Sequence, residues 1–556
     1  MKDKRMSQHR KRKKQIKEKE SQSGILQRYW SEIIILITIL AIAAIRYRLL
    51  GVPLERDEGE YAYMGQLLLQ GILPYVEAYN MKFPGIYFLY ALILTLFGQT
   101  HTGIHLALLV ANVATIFLIY LLGKYLFDAL TGTVAGISYG IISMSPWYHG
   151  LWANSEHYVV LFAIGGILLL TRIIMSSKLH SLFWSGILLG LSFTIKQHGI
   201  LFALFGIGYF IITHLKEARV SLPHFSKKLG VLILGIITPF GLFLITLSVG
   251  GVLDRFWFWT FEYASKYVSD ISLTKGLSNL QDNISPGLQV NLSIWFAAAL
   301  GLTTPLWDEK SRSKWGFSLG FFLTSLTALC LGLYFRRHYF ILLFPSLALL
   351  AGLAIAALSR KITSFLSQPM KVGTVLLIII IICSYPLFAQ RKSLFQLTPR
   401  EVCRRIYNWN PFPESLVIAR YLKQNTSLND RIAVMGSEPQ IYFYAHRRAA
   451  TGYIYTYPLM KSHPFAMKMQ KEMIEEIETN QPKYLVYVYA PISWLRHVKS
   501  NPLIFKWLKS YLIKHYERTA VIDIISDTET LYIRGEKVKR YKPQSSFSIA
   551  IFKRTN

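Results

Sequence analysis

The chain has 556 residues, 52% of them hydrophobic and 14% aromatic, with a formal net charge of +30. The apolar residues fall in repeated long runs through the first two thirds, which excludes an ordinary soluble globular protein and marks a membrane one. Three cysteines exclude a disulfide-built domain, and a basic excess beside so many apolar runs points to lipid headgroups rather than nucleic acid.

Residues 1–28 form a tail dense in Lys and Arg, including the run at 10–14. Next to an apolar segment such a tail reads as a retained cytoplasmic flank. The run from 33 to about 50 then reads as an uncleaved signal anchor, because Arg46 and Arg48 follow the small residues at 41–43. Both arginines are read as snorkelling to the interface. The chain thus crosses outward, and a first outer loop occupies 51–100. It opens with Glu55, Arg56, Asp57, Glu58 and Glu60, continues through an amphipathic stretch at 61–69, and closes on Lys82-Phe83-Pro84-Gly85. Carboxylates at such a boundary do not help hold a helix in lipid, which makes them functional candidates. Glu60 is read as part of a solvated face. The apolar piece at 85–98 falls short of the roughly 20 residues that a spanning helix needs, so it is expected to be interfacial or re-entrant.

Spanning candidates follow at 103–127, 131–149, 158–175, 178–196, 198–215, 229–250, 288–307, 315–334, 340–358 and 371–389. With the first helix this gives about 11 spans, an odd number that leaves the C-terminal region outside. Lys and Arg concentrate at 172–178, 216–228, 310–314 and 360–371, the loops this topology places in the cytoplasm. From 390 the composition turns mixed. Helical spacing at 415–424, 438–444 and 465–479 alternates with strand-like runs at 431–436, 484–489, 519–525, 530–534 and 547–552, as expected of a small α/β domain. The expected organisation is a basic cytoplasmic tail (1–28), a transmembrane unit (29–389) and an extracytoplasmic α/β domain (390–556). The whole is a multi-pass α-helical protein of the cell membrane.

On this topology Asp57, Glu58, Lys82, Glu156, Lys196, Arg336, Arg337 and His338 all fall at helix ends on the outer side. The chemistry that fits them is sugar transfer from a polyprenyl-phosphate donor. Such a donor carries its own phosphate leaving group, so what is needed is one carboxylate to take the proton of an acceptor hydroxyl. Fixed cations are needed where negative charge builds on the phosphate. Lys serves there as a point charge and Arg as a planar fork. The competing class, a transporter or flippase of polysaccharide or lipid-linked sugar, would place ionisable residues at mid-membrane with symmetry between halves. Neither is visible. His149, His157, His198 and His338 show no tight spacing with acids, so no metal-ligand set is assigned. The aromatic run at 256–259 reads as an interfacial belt.

Arg56-Asp57-Glu58 after the first helix, followed by Lys82-Phe83-Pro84-Gly85, resembles the GT-C fold glycosyltransferases. Among these it is similar to bacterial relatives of the protein O-mannosyltransferases and the lipid A aminoarabinose transferases. The resemblance implies Asp57 as catalytic base. The family's Lys-Pro-Pro appears here as Lys-Phe-Pro, which keeps Lys82. Glu156 matches the acidic residue of the family's second outer loop and Lys196 a Lys of the third. Arg336-Arg337-His338-Tyr339 matches its basic-Tyr motif, and the segment at 436–442 resembles the outer domain of some members. Asp57, Glu58 and Glu156 are therefore the expected catalytic residues, and Lys82, Lys196, Arg336, Arg337 and His338 the expected ligands of the donor phosphate. The implied partners are a polyprenyl-phosphate sugar, a lipid, glycan or protein acceptor, and membrane lipid. No nucleic acid is implied. Some members use a divalent ion, so a metal cofactor stays open, as do the sugar and the acceptor.

Overall fold

The computed structural model describes residues 29–175, 178–216, 221–268, 271–363 and 368–555; the basic tail lies outside them. Among the described residues fourteen helices of twelve or more residues form the first part: α1 (Tyr29–Arg48), α2 (Arg56–Leu69), α3 (Gly85–Phe97), α4 (His101–Leu126), α5 (Ala129–Ile142), α6 (Ser155–Ile173), α7 (Leu179–Ile195), α8 (Ile200–Leu215), α9 (Leu222–Val249), α10 (Leu273–Val290), α11 (Leu292–Thr303), α12 (Trp315–Cys330), α13 (Phe344–Thr363) and α14 (Gln368–Ala389). Among the described residues six are long and apolar enough to cross a membrane: α1, α4, α6, α8 with its leading turn, α9 and α13. The remaining predicted spans are shorter apolar helices.

Ion pairs sort the helix ends into two sets. At one end, Lys124 near the close of α4 bonds Glu32 in the first turn of α1. There too Arg360 of α13 reaches Asp128 at 2.8 Å and Asp308 at 2.7 Å, with Lys310 also on Asp128 at 2.9 Å. The other end carries the candidate site. Arg46, in the last turn of α1, does not snorkel. It is 4% exposed and donates to the carbonyls of Ser143 and Gly150, both at 2.9 Å. Those carbonyls lie just past α5, which stops at Ile142 instead of running on to 149. Pro146, which cannot donate a backbone bond, opens a tight turn there, and the guanidinium satisfies the freed oxygens.

Helix α3 does not carry the chain across. It packs along α2: Glu60 of α2 bonds Tyr87 of α3, and Gln66 of α2 bonds Gln99 just beyond α3. Both ends of α2 in turn touch the C-terminal region, through Arg56 to Glu438 and Gln66 to His446. Both helices therefore lie flat beneath that region, and α4 starts again from the site end, with His105 on Glu58. Where helices cross closely, glycine is required. A Cβ on Gly186 of α7 would come within 2.9 Å of Gly235 Cα of α9.

Past α14 come α15 (Pro399–Tyr407), α16 (Phe412–Asn425), α17 (Gln440–Ala445), α18 (Ala466–Asn480) and α19 (Leu503–His515), which pack with a five-stranded sheet. Its strands are β1 (Ile432–Met435), β2 (Tyr484–Val488), β3 (Tyr516–Ile524), β4 (Thr530–Arg534) and β5 (Ser548–Arg554), in the order β1-β2-β5-β3-β4. β1 and β2 are parallel, and the other pairings are antiparallel. The region is fastened to α2 at many points. Leu54 N–H donates to the Tyr444 hydroxyl at 2.8 Å and Ala449 N–H to the Tyr63 hydroxyl at 2.8 Å. Gly59 meets Gln440 so closely that a Cβ would fall 2.6 Å from its backbone nitrogen. This roof is why α2, expected to be amphipathic, is buried at every position from Glu58 to Leu67. The aromatic run at 256–259 is also mostly interior: Phe256 packs on Phe83 and Tyr75, and Trp259 stacks on Tyr79. Trp257 alone of the run is exposed.

Candidate active site

Five segments meet beneath the C-terminal region, and each delivers its side chain from a helix end. Glu55 caps α2 in a reciprocal capping box with Glu58, which sets the first turn and so the direction of Asp57. Lys82 arrives from the loop before α3. Its ammonium lies 2.9 Å from Asp57 Oδ1 and 2.9 Å from Glu60 Oε2. Glu156 stands in the first turn of α6 and bonds Lys196, the residue that closes α7. His338, in a short turn before α13, places Nε2 at 3.8 Å from both Asp57 Oδ2 and Glu156 Oε1. Asp57, Lys82, Glu156, Lys196 and His338 thus form one alternating cluster of acid and base.

The two oxygens of Asp57 differ. Oδ1 holds Lys82 and also accepts from the Tyr455 hydroxyl at 2.8 Å. Among the described residues Oδ2 has only the distant His338, beyond hydrogen-bond reach. One oxygen is fixed and the other is open. Burial pushes the Asp57 carboxyl up, but Lys82, then His338 and the Tyr455 hydroxyl, outweigh it and hold the group well below the usual carboxylate range. Burial likewise disfavours the Lys82 ammonium, and the two carboxylates beside it raise it well above its usual value. His338 moves the other way: burial and the nearby Lys196 ammonium push it well below the normal imidazole range, against the pull of Asp57.

Glu60 is not on a solvated face. Its carboxylate is fully buried, between the Lys82 ammonium and the Tyr87 hydroxyl at 2.7 Å. The helical period that turned it inward could not reveal this, because the roof that buries the opposite face comes from residues hundreds of positions away. Glu58 is also fully buried, but it faces away from the open oxygen of Asp57. It accepts from His105 Nε2 at 2.9 Å and from the backbone N–H of Ala153. It thereby joins the start of α2 to the segment that leads into α6 and Glu156.

The arginines stand apart from the acids. Arg336 lies over the Tyr334 ring at 5.4 Å, and Arg337 lies over Trp147 at 3.7 Å and reaches toward Asn283 Oδ1 at 3.4 Å. Among the described residues neither makes an ion pair. Their charge is available to an anion, whereas that of Lys82 and Lys196 is already matched. Lys196 also lies over the Tyr339 ring at 4.0 Å, and Lys82 over Tyr61 at 4.5 Å. Tyr339 belongs to the basic-Tyr motif read in the sequence, whereas Tyr61 and Tyr455 carried no signal as ring partners there, since aromatic residues are abundant throughout it. Among the described residues no three His, Cys, Asp or Glu stand together as a metal site. The lysines beside Asp57, Glu60 and Glu156 supply the positive charge there.

Residues 81–243 match the family model for dolichyl-phosphate-mannose-protein mannosyltransferases. Among solved structures, the chain is similar to ArnT from Cupriavidus metallidurans in its apo state, with 12% identity, a TM-score of 0.55, and 93% of this chain and 97% of that one covered. The same protein bound to undecaprenyl phosphate gives a TM-score of 0.54 at 12% identity over the same shares of the two chains. The archaeal oligosaccharyltransferase AglB from Archaeoglobus fulgidus, in complex with an inhibitory peptide and a dolichol-phosphate, gives 0.53 at 11% identity, over 92% of this chain and 75% of that one. The chain has the GT-C fold. No curated protein matches the sequence. In this GT-C chain the matched segment begins beside Lys82 and contains Glu156 and Lys196, so three of the five clustered residues lie within it.

Proposed function

We propose that the protein transfers a sugar from a polyprenyl-phosphate-linked donor to an acceptor hydroxyl at the outer face of the membrane, with Asp57 as general base. The observation that carries this reading is the asymmetry of Asp57: an ionised carboxylate fixed through Oδ1 with Oδ2 open. The acceptor oxygen attacks the anomeric carbon as its proton passes to Oδ2. The bond from that carbon to the phosphate oxygen breaks, and polyprenyl phosphate leaves with the bonding pair. A positioned base contributes about 10²–10⁴ to such a step.

Arg336 and Arg337, which have no carboxylate partner among the described residues, are the cations assigned to the leaving phosphate. Lys196 is held on Glu156, His338 stands 3.8 Å from both Asp57 and Glu156, and Lys82 keeps the base ionised. Glu156 holds Lys196 in place, and Glu58 ties the two acidic loops together. The dolichol-phosphate and undecaprenyl phosphate bound in the similar structures support a lipid-phosphate donor. The topology that places the site outside leaves the 390–556 region as an outer domain over it. The test is a transfer assay with detergent-purified protein and a panel of polyprenyl-phosphate sugars, reading acceptor-dependent release of polyprenyl phosphate. Release with at least one donor is expected. Its absence across the panel, while nucleotide sugars support transfer, would refute the donor class.

A further inference from the structure

The C-terminal region does more than cover the site, because it supplies one of the two donors that fix Asp57. Tyr455 is buried, and its hydroxyl donates to Asp57 Oδ1 at 2.8 Å. The backbone on both sides of it is pinned. Upstream, Tyr79 N–H donates to the Gly452 carbonyl at 2.8 Å, and a Cβ on Gly452 would come within 2.3 Å of the Tyr79 ring. Downstream, Thr456 N–H donates to Ser437 Oγ at 3.0 Å, and the Thr456 hydroxyl donates to the Ser493 carbonyl at 3.0 Å. The Tyr455 ring packs edge-on against Tyr457, whose own ring carries the Arg56 guanidinium at 5.3 Å. A phenol held this firmly has little freedom to leave its acid.

From this geometry we infer that Tyr455 is a positioning residue, which locks Oδ1 of Asp57 so that Oδ2 stays turned toward the acceptor. The inference rests on the reading of Asp57 as base. With Lys82 as the sole donor, the carboxylate can rotate and present either oxygen to the ammonium, and the open oxygen loses its fixed direction. The productive geometry of a base tolerates little such drift. Seating of the C-terminal region is thereby coupled to the chemistry by one hydrogen bond. A burial effect alone would distribute that coupling over the whole interface.

A neighbouring bond separates these two accounts. Tyr444 joins the same two regions by accepting from Leu54 N–H at 2.8 Å, yet it does not touch Asp57. In the full-length purified protein, Tyr455→Phe is expected to lower kcat at least tenfold with the donor KM within twofold of wild type. Tyr444→Phe is expected to leave kcat within twofold. Replacement of Tyr455 by 4-aminophenylalanine, whose para-amino N–H stands where the phenol O–H stood, is expected to recover part of the rate, and it keeps the test readable should the Phe variant fold poorly. A Tyr455→Phe enzyme with wild-type kcat, or equal losses in the two Phe variants, overturns the inference. An Asp57→Asn enzyme that still turns over would instead remove the base itself, and so separates that failure from this one.

Discussion

Lys82→Met tests the electrostatics of the site most completely. The ammonium lies 2.9 Å from both Asp57 and Glu60, and Glu60 is fully buried. At an effective dielectric of about 20, each contact is worth roughly 6 kcal/mol in gross Coulomb energy, most of it offset by desolvation of the three charges. Removing the lysine leaves Glu60 buried and unpaired, a situation that costs about 3–5 kcal/mol. The carboxyl escapes by taking a proton. From an ordinary Glu value near 4.3, holding that proton at pH 7 costs about 4 kcal/mol, which caps the loss. The sign follows from linkage. The variant's folded state binds a proton that its unfolded state does not, so its stability rises as pH falls from 7 toward 5. The wild type shows no such gain from this group to the same extent, because Lys82 opposes the rise in the Glu60 carboxyl that burial causes. The measurement is the thermal unfolding midpoint of purified Lys82→Met against wild type at pH 5, 6 and 7. The gap is expected to narrow toward pH 5, and Glu60→Gln added to the variant is expected to close most of it without restoring activity. A gap independent of pH, or a double variant no more stable than the single, would refute the argument.

Loss of Lys82 also lets burial raise the Asp57 carboxyl, so the acid limb of kcat/KM is expected to move to higher pH in Lys82→Met; an unmoved limb would contradict the assigned pairing. Gly59→Ala forces a methyl to within 2.6 Å of Gln440 N, and is expected to destabilise the roof over α2 by about 1–3 kcal/mol and to raise its protease sensitivity. Arg336→Gln with Arg337→Gln is expected to raise the donor KM and lower kcat while leaving the unfolding midpoint within a few degrees; unaltered kinetics would take the arginines out of the phosphate site. At the opposite end, Arg360→Gln breaks a partly exposed network with Asp128 and Asp308 and is expected to cost about 1–2 kcal/mol with kinetics unchanged. Single cysteines beside Asp57, Glu156 and Arg336 are expected to react with an impermeant reagent from the outer face. Labelling of the Glu156 position from the cytoplasm instead would break the proposed topology.

The parts of the fold written in local pattern were legible: apolar runs gave their helices, and the strand-like runs after 390 fall at the strands that form the sheet. Boundaries slipped where a distant side chain decides them. Helix α5 ends at Ile142, ahead of the turn that Pro146 opens, and Arg46 from another helix takes up carbonyls beyond its end. Helix α10 went unread because its polar residues interrupt the apolar run, and α19 because its Lys-rich face resembles a loop in composition. In the site, Asp57, Lys82, Glu156, Lys196 and His338 share a feature that a sequence displays, a charged or titratable residue at the end of an apolar run. Glu60 and Tyr455 lack it. Glu60 is inside because Lys82 and Tyr87 close over its carboxylate from the following loop and helix, and Tyr455 reaches Asp57 from 398 positions away. Neither fact is encoded near the residue it concerns. The cations divide for the same reason: sequence reading grouped Lys82 and Lys196 with Arg336 and Arg337, while three-dimensional pairing neutralises the lysines and leaves the arginines available.

The base assignment is tested most directly by single-turnover transfer with Asp57→Asn, at saturating donor and at a pH where the wild type is fully active. The amide keeps the shape of the side chain and can still accept from Tyr455, so folding and donor binding are expected to persist. Transfer is expected to fall at least a hundredfold, in line with the loss of a positioned base. A rate within tenfold of wild type, from protein that binds donor normally, would contradict the account.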